Sequence, residues 1–446
     1  MRTISCVFLL VIALSCSYTV SDRIFVKDES QILSQLAVVG ITEPLYKDPV
    51  KALILKDILF EGGSSKYSIQ QTRDLLERSG ASVTLNISLD GVFTLQVKAL
   101  PSRFNQALEV VLDHLQNPAF DSTALELKKI HNCEALTRQI EKPVLVAIRG
   151  FRYLLFGEEE FVNFSCKDFA SIKSDDLIEF YESLKFKNYK IVTNTSLSAR
   201  HLEALEKVFK KGVVRSKPQI KRKKSRQLLW IYSETPHTTV LLGNISDNSL
   251  SPARYYLRAF EGLLSEDFDS RLFSRVRSEL GLAYLVQGGW TADLYRGFVY
   301  VVAQTSPELV ETLITESLKE INSLTKVNLK EDLQKLAIRE KRKLIFSYEN
   351  KFTRRVQQVF RQLVGLPLNE EENWVKFLNQ TSSEVLAAKW QELLRFDVRD
   401  DLTLVLVGSK NPVDIFSDKS FLSSFELFKG EFNSTDGSLL ITPLGT

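Results

Sequence analysis

The sequence predicts an α+β protein with two tandem homologous domains, each a mainly antiparallel sheet packed against helices. Three observations carry this prediction. The chain has 446 residues, too many for one core of ordinary size. Its 44% hydrophobic and 25% charged residues are typical of a globular protein. One order of helices and strands also occurs twice, about 200 residues apart, which is far longer than the period of a solenoid repeat.

The first copy of this pattern covers residues 46–116. One helix, DPVKALILKDILFEGG, ends at a glycine pair, and a second, SIQQTRDLLERSG, begins at the N-cap residue Ser68 and stops at Gly80. ASVTLNISLDGVFTLQVKAL then alternates apolar and polar residues about Asp90 and Gly91, which predicts a β-hairpin. SRFNQALEVVLDHLQNP closes the unit as an amphipathic helix ended by a proline.

The second copy, at 252–323, follows the same order. PARYYLRAFEGLLS and SRLFSRVRSELG are predicted helices, LAYLVQGGWTAD and GFVYVVAQT are strands, and SPELVETLITESLKEINSL is the closing helix. Each copy continues with further helices and regains strand character late, in YKIVTNTS at 189–196 and LTLVLVGS at 402–409. Helices beside an antiparallel-rich sheet define the α+β class.

These elements divide the chain into four parts. We predict a signal peptide at 1–22, an N-terminal domain at 23–216, a basic linker at 217–227 and a C-terminal domain at 228–446.

The first residues, MRTISCVFLLVIALSCSYTVSD, have the features of a secretory signal. Arg2 precedes an apolar stretch at 4–15 that is too short to span a bilayer. ALSC at 13–16 is similar to a bacterial lipobox, in which the cysteine, here Cys16, becomes lipidated. We therefore expect an exported, periplasmic protein, either anchored to a bacterial membrane through Cys16 or secreted without an anchor.

Charge and cysteine content narrow the classes of partner. The formal net charge of +3 is small, and the densest basic run, IKRKKSR at 220–226, is interpreted as a solvated linker. A nucleic-acid partner is therefore not expected. Cys133 and Cys166 either pair in an oxidising compartment or remain as two buried free thiols.

The sequence supports no self-sufficient active site. A catalytic zinc ion needs three His, Cys or carboxylate ligands, and no two of the four histidines share a helix turn. His131 and Glu134 share a predicted helical face but lack a third ligand. No nucleophile elbow, Walker loop or dinucleotide-binding glycine pattern occurs.

The paired units resemble the pitrilysin/insulinase family of zinc peptidases, the inverzincins, and within it the processing-peptidase-like branch. The most specific stretch is DSRLFSRVRSELGLAYLV at 269–286, which looks like the motif of the family's second domain. The resemblance implies that the Arg and Tyr of this motif, here Arg277 and Tyr284, reach across a chamber and hold the substrate backbone near the zinc ion.

The first domain departs from the family pattern. The family's zinc helix reads H-x-x-E-H, and aligning on LFEGG at 59–63 places Leu53, Lys56 and Asp57 where the two histidines and the general-base glutamate would stand. Glu134 corresponds to the third ligand, a glutamate further along the chain. Leu53 has no lone pair and Lys56 brings a cation, so this set should not hold Zn²⁺ or activate water.

Two arrangements of Lys56 and Glu134 are compatible with the resemblance. The lysine pairs with the surviving glutamate, which would replace the attraction between metal and ligand. Alternatively, the two side chains are separately solvated.

The resemblance implies a catalytically incompetent subunit of a heteromeric zinc endopeptidase, inactive alone. In this interpretation, a homologous partner chain supplies the zinc ion, and this chain binds no metal and supplies Arg277 and Tyr284 to bind a peptide substrate. Guanidinium and phenol groups can both donate to a peptide carbonyl or its developing oxyanion. The alternative is a structural scaffold of the same fold with no proteolytic role.

Overall fold

The computed structural model describes residues 23–26, 32–157, 164–184, 187–209, 226–266, 270–326, 328–394 and 401–444. The proposed signal peptide with Cys16, and the linker up to residue 225, lie outside these ranges. In the described residues, no helix combines the length and apolar character needed to cross a membrane.

The described residues form twelve strands. In chain order they are β1 Arg23–Phe25, β2 Ser34–Ile41, β3 Ser82–Ile87, β4 Val92–Ala99, β5 Lys187–Thr193, β6 Gln227–Tyr232, β7 Thr238–Ser246, β8 Leu285–Ala292, β9 Gly297–Thr305, β10 Thr403–Gly408, β11 Glu426–Phe432 and β12 Leu439–Pro443.

The same residues form sixteen α-helices. They are α1 Pro49–Ile58, α2 Ile69–Arg78, α3 Phe104–Gln116, α4 Ser122–Thr137, α5 Pro143–Phe156, α6 Cys166–Ser171, α7 Ser174–Ser183, α8 Ala199–Val208, α9 Arg254–Leu264, α10 Val310–Ser323, α11 Lys330–Ser347, α12 Lys351–Leu363, α13 Glu370–Gln380, α14 Ser383–Leu393, α15 Pro412–Ile415 and α16 Lys419–Ser423. Arg138–Glu141 and Pro307–Leu309 are 3₁₀-helical, and Phe273–Glu279 is π-helical.

Two separate sheets organise these elements, one in each half of the chain. The first has the order β1-β5-β2-β4-β3, and the second has the order β12-β11-β6-β10-β7-β9-β8. Pairing is mostly antiparallel, with parallel exceptions at β1–β5, β6–β10 and β6–β11. The predicted α+β class, with two antiparallel-rich sheets packed against helices, is therefore confirmed.

Each sheet is central to its own hydrophobic core. In the first half, helices including α1 and α3 pack on β2, β4 and β5, and Phe93, Leu95 and Ile191 are fully buried or nearly so. In the second half, α9 and α10 pack on one face of the larger sheet, and α11, α13 and α14 extend the same core by packing against α9. The repeated helix–hairpin–helix order seen in the sequence thus builds the same layer twice.

The second face of each sheet is covered by a helix from the other half of the chain. Helix α5 lies on the larger sheet, where Val146 and Phe151 pack against Leu229 and Val405. Close approach is possible because Gly150 has no side chain, since a Cβ there would lie 2.6 Å from Leu229 Cδ2. Helix α12 lies on the smaller sheet in the same way. The two halves therefore exchange one helix each.

A disulfide joins Cys133 on α4 to Cys166, the first residue of α6, with a Cα–Cα distance of 5.0 Å. The sequence allowed either a disulfide or two free thiols, and the structure shows the disulfide. The backbone N–H of Cys166 also donates to the carbonyl of Asp436, in the turn between β11 and β12, at 2.7 Å. The cross-link therefore lies where the second half of the chain contacts the first.

Candidate functional site

Arg277 belongs to a short π-helical segment that continues into the edge strand of the larger sheet. The N–H of Leu280 donates to the carbonyl of Arg275, five residues earlier, at 3.2 Å. Val276 and Leu272 are fully buried and fix this segment to the core. π-Helical segments are rare in proteins, and many of those that are found lie at functional sites.

The structure brings Arg277 and Tyr284 together. The guanidinium carbon of Arg277 lies 5.0 Å from the ring centroid of Tyr284 and 4.9 Å from that of Phe273. Such distances are within the range of cation–π attraction. Arg277 is half-buried, whereas the Tyr284 side chain is 81% exposed. The pair forms an accessible surface on which an aromatic ring and a guanidinium group lie side by side.

The neighbouring arginine on the same segment has a different environment. Arg275 pairs with Glu279 at 2.9 Å and with Glu316 at 3.1 Å. Arg277, by contrast, donates no hydrogen bond and forms no ion pair with a described residue. Among the described residues, carboxylates neutralise Arg275 but not Arg277.

The β8–β9 hairpin begins just after Tyr284, and its turn contacts the first half of the chain. The Tyr46 hydroxyl donates to Asp293 Oδ2 at 2.9 Å, and the N–H of Leu294 donates to Asp90 Oδ2 at 3.1 Å. The Arg296 guanidinium covers the Tyr46 ring at 3.5 Å. Burial, followed by the charge of Asp293, raises the pKa of Tyr46, so its phenol stays protonated and keeps donating this bond.

The residues that replace the expected zinc helix lie on α1. Leu53 packs against the core of the first half, and Lys56 and Asp57 are half-buried beside it. The side chain that approaches Asp57 from α4 is Asn132, whose Nδ2 lies 3.4 Å from Asp57 Oδ2. Asn132 also donates to the carbonyl of Lys128 at 2.9 Å.

Glu134 does not contact this group. Its side chain is 56% exposed and pairs with Arg138 at 3.0 Å, one helical turn further along α4. The hypothesis that Lys56 pairs with Glu134 is therefore wrong, and Lys56 has no carboxylate partner among the described residues. The buried stripe of α4 runs through Leu125, Lys129 and Leu136, and Glu134 lies outside that stripe.

These residues do not fit a zinc ion. Leu53 has no donor atom, Lys56 is a cation, and Asn132 offers an amide where Zn²⁺ prefers thiolate, imidazole or carboxylate. Elsewhere in the described ranges, no three His, Cys, Asp or Glu side chains are grouped so as to hold a metal ion.

Sequence reasoning missed Asn132 because it took the third position from the alignment alone. A signal was present in the sequence, since residues 125, 129, 132 and 136 recur at helical spacing and define one face of α4. Asn132 lies on that face and Glu134 does not.

Part of the sequence matches a known protein family. Residues 171–340 match the family model described as the peptidase M16 inactive domain. No curated protein matches the sequence.

Solved structures share the fold at low sequence identity. A peptidase M16 inactive domain from Pseudomonas fluorescens superposes with a TM-score of 0.75 at 19% identity, covering 87% of this chain and 96% of that one. The periplasmic protease PqqL from Escherichia coli gives 0.69 at 12%, covering 86% and 44%. The ferredoxin protease FusC, solved as a mutant in complex with Arabidopsis ferredoxin, gives 0.67 at 12%, covering 87% and 44%.

The class of protein follows from these findings. The predicted resemblance to the pitrilysin-type, or M16, peptidases is confirmed in sequence by the matched domain and in fold by the solved structures. The matched model is that of the family's inactive domain, and it covers residues 171–340 of this chain.

Proposed function

We propose that the chain is the substrate-holding subunit of a heteromeric zinc endopeptidase. A homologous partner would supply the zinc ion and the general base, and this chain would supply Arg277 and Tyr284. The observation that carries the proposal is the contrast between the two halves. The Arg–Tyr pair is assembled and accessible, whereas the zinc positions hold Leu53, Lys56 and Asp57.

The chemistry of the pair supports this role. A guanidinium group and a phenol both donate hydrogen bonds, and neither N–H nor O–H is used by a described neighbour. Donors fixed in place before the reaction stabilise the charge that develops on a carbonyl oxygen. This chain would hold the peptide backbone and its oxyanion while the partner performs hydrolysis.

The test is co-expression with a homologous chain from the same genome that carries an intact H-x-x-E-H. Cleavage of a quenched fluorescent peptide should require both chains. We expect Arg277→Ala to lower kcat/KM about 10²-fold, and Tyr284→Phe, which removes one neutral donor, to lower it about tenfold.

Arg275→Ala is the matched control, because Arg275 lies on the same segment but is occupied by Glu279 and Glu316. It should leave cleavage within about twofold of the wild type. Unchanged cleavage in Arg277→Ala would instead favour the scaffold role. In isolated chains, bound zinc measured by elemental analysis should be far below one equivalent, and a full equivalent would refute the metal-free assignment.

We also propose that the protein is exported to the periplasm, with Cys16 as the candidate lipidation site. The Cys133–Cys166 disulfide supports this location because disulfides persist in oxidising compartments. Cell fractionation and intact mass would test it. A mature chain beginning at Cys16 with added acyl mass identifies a lipoprotein, and a chain retaining residues 1–22 contradicts export.

A further inference from the structure

Arg277 is a half-buried cation for which the described part of the chain provides no counter-charge. Its guanidinium contacts the rings of Phe273 and Tyr284, and neither ring can accept the hydrogen bonds that its N–H groups direct. No hydrogen-bond acceptor or carboxylate of the described residues satisfies it. A partly desolvated charge of this kind gains most from an anionic partner that brings two acceptor atoms.

The carboxylates that contact the segment of Arg277 are already paired with other cations. Glu279 and Glu316 both bind Arg275, and Glu316 also pairs with Lys319 at 2.6 Å. These bonds lower the pKa of Glu316, the bond from Lys319 first and that from Arg275 second, so it stays ionised and paired. Neither Glu279 nor Glu316 is therefore available as a counter-charge for Arg277.

Three apolar or aromatic side chains belong to the segment that carries Arg277. Phe273 is half-buried against the core, Leu280 is 38% exposed, and Tyr284 is 81% exposed. Such surfaces cover the aliphatic part of a bound side chain while the guanidinium takes its charged end. The Tyr284 hydroxyl adds a second donor beside the first.

We propose that Arg277 and Tyr284 bind a carboxylate of the peptide, so that this subunit selects acidic substrates. The carboxylate is either the C-terminal one or that of an Asp or Glu side chain. This inference rests on the proposed function, because it names the class of peptide that the substrate-holding subunit recruits. A neutral backbone carbonyl would bind the same donors more weakly, since a charge-assisted pair is roughly twice as strong as a neutral one.

The test measures binding to the purified full chain by fluorescence anisotropy. The probes are three labelled twelve-residue peptides of one sequence. The first has a central Glu and a free C-terminus, the second replaces Glu by Gln, and the third also carries a C-terminal amide. We expect affinity to fall about tenfold when the carboxylate that is bound is removed. Whichever step produces that loss identifies the source of the carboxylate.

Three variants test whether the preference for acidic peptides depends on Arg277. Arg277→Ala should abolish the difference between the three peptides, Arg277→Lys should keep a reduced difference, and Arg275→Ala should leave it intact. Thermal melts of each variant confirm that the fold is retained. Binding of the acidic peptide should also weaken as salt rises from about 50 to about 500 mM, because screening weakens exposed charge pairs.

Equal affinity for all three peptides, or a preference that survives Arg277→Ala, would overturn the inference. This failure is distinguishable from failure of the proposed function. If Arg277→Ala reduces cleavage of acidic and neutral peptides alike, the proposed function holds and acid selection is wrong. If binding selects the acidic peptide but cleavage does not depend on Arg277, acid selection holds and the catalytic contribution is wrong.

Discussion

At the scale of single residues, Glu261 on α9 is the carboxyl whose environment most disfavours its charge. It lies in the packing between α9 and β8, where its side chain occupies the space that a Cβ at Gly289 would need. Burial, followed by repulsion from Glu266, raises the pKa of Glu261 to about 7, against a smaller opposing effect of Arg258. The folded protein therefore keeps Glu261 protonated at pH values where the unfolded chain ionises it.

This shift predicts a pH-dependent stability. Because the folded pKa lies above the unfolded value of 4.5, unfolding releases a proton between pH 4.5 and about 7, and stability falls as pH rises through that window. Glu261→Gln removes the effect. The variant should match the wild type below pH 4.5 and exceed it by about 1–3 kcal/mol above pH 7, after allowance for partial exposure.

Urea unfolding at pH 4.5 and pH 8 provides the measurement. Glu266→Gln is the comparison variant. It removes the repulsion on Glu261 and the ion pairs of Glu266 with Arg339 and Lys343, but it leaves Glu261 buried, so its stability should still fall between pH 4.5 and pH 8. A Glu261→Gln variant whose stability relative to the wild type does not change with pH would show that folding leaves the pKa of this carboxyl unchanged.

The candidate site shows which residue-level properties are readable from sequence. The resemblance of RSELGLAY picked out Arg277 and Tyr284, and the structure does bring them together. Sequence did not show that Arg275 is paired while Arg277 is not, because Glu316, one of the carboxylates that bind Arg275, lies on another helix. Long-range partners of this kind depend on how helices pack, which local spacing does not specify.

At the scale of elements, the turn between β11 and β12 fits tightly against the first half of the chain. Gly437 adopts φ +70°, and a Cβ there would lie 2.4 Å from Leu136 Cγ on α4. Its carbonyl accepts a hydrogen bond from Arg149 Nη1 on α5 at 2.6 Å. Arg149 also donates to the carbonyl of Phe164 at 2.8 Å, so one buried side chain ties the turn to two segments of the first half.

Gly437→Ala should therefore destabilise the protein by about 2–4 kcal/mol, combining left-handed backbone strain with overpacking against Leu136. Gly365→Ala is a matched control. Gly365 has φ +81°, but nothing lies within 4 Å of a Cβ placed there, so only the strain of about 1 kcal/mol remains. Chemical denaturation of both variants gives the comparison, and equal losses would show that Leu136 moves aside without cost.

Element prediction succeeded where amphipathic periodicity was visible and failed where it was not. The hairpins β3–β4 and β8–β9 lie where the sequence pattern put them, as do helices α1, α2, α3, α9 and α10. Strands β2, β6 and β7 were missed, since burial on both faces replaces alternation with nearly continuous apolar residues. SRLFSRVRSELG was predicted as an ordinary helix, and its central part is π-helical, a difference of hydrogen-bond register that side-chain type does not encode.

At the scale of the whole molecule, the exchanged helices α5 and α12 connect the cores of the two halves. Phe352 on α12 is 2% exposed and packs with Val39 and Val192 of the smaller sheet. Phe151 on α5 is fully buried against the larger sheet. Neither sheet can keep both faces covered without the other half of the chain.

We predict that Phe352→Ala lowers the stability of the entire chain by about 3–5 kcal/mol, the usual cost of an aromatic cavity. All four tryptophans lie in the second half, so their fluorescence reports on the larger sheet and its helices. If the halves unfold together, the fluorescence transition should shift with the far-UV circular dichroism transition, although Phe352 packs on the smaller sheet.

Phe346→Ala is the control on the preceding helix, α11. Phe346 is 65% exposed, and its removal should change stability by less than about 0.5 kcal/mol. A fluorescence transition that stays in place in Phe352→Ala, while circular dichroism shifts, would show that the halves unfold independently.

The duplication of the fold was visible in the sequence, but the exchange of helices was not. Each predicted domain contains a complete helix–hairpin–helix unit, and nothing local marks α5 or α12 as belonging to the opposite sheet. Both helices are apolar on the face that they bury, and this property does not identify which sheet they contact.

The exchanged helices also determine when this protein can fold during its synthesis. Helix α5 ends at Phe156, but β10, which it covers together with β6 and β7, begins only at Thr403. At about 5–20 residues per second, the apolar face of α5 waits roughly tens of seconds for its binding surface. The smaller sheet likewise remains bare on one face until α12 has been made. The two sheets can therefore be covered on both faces only after almost the whole chain has been synthesised.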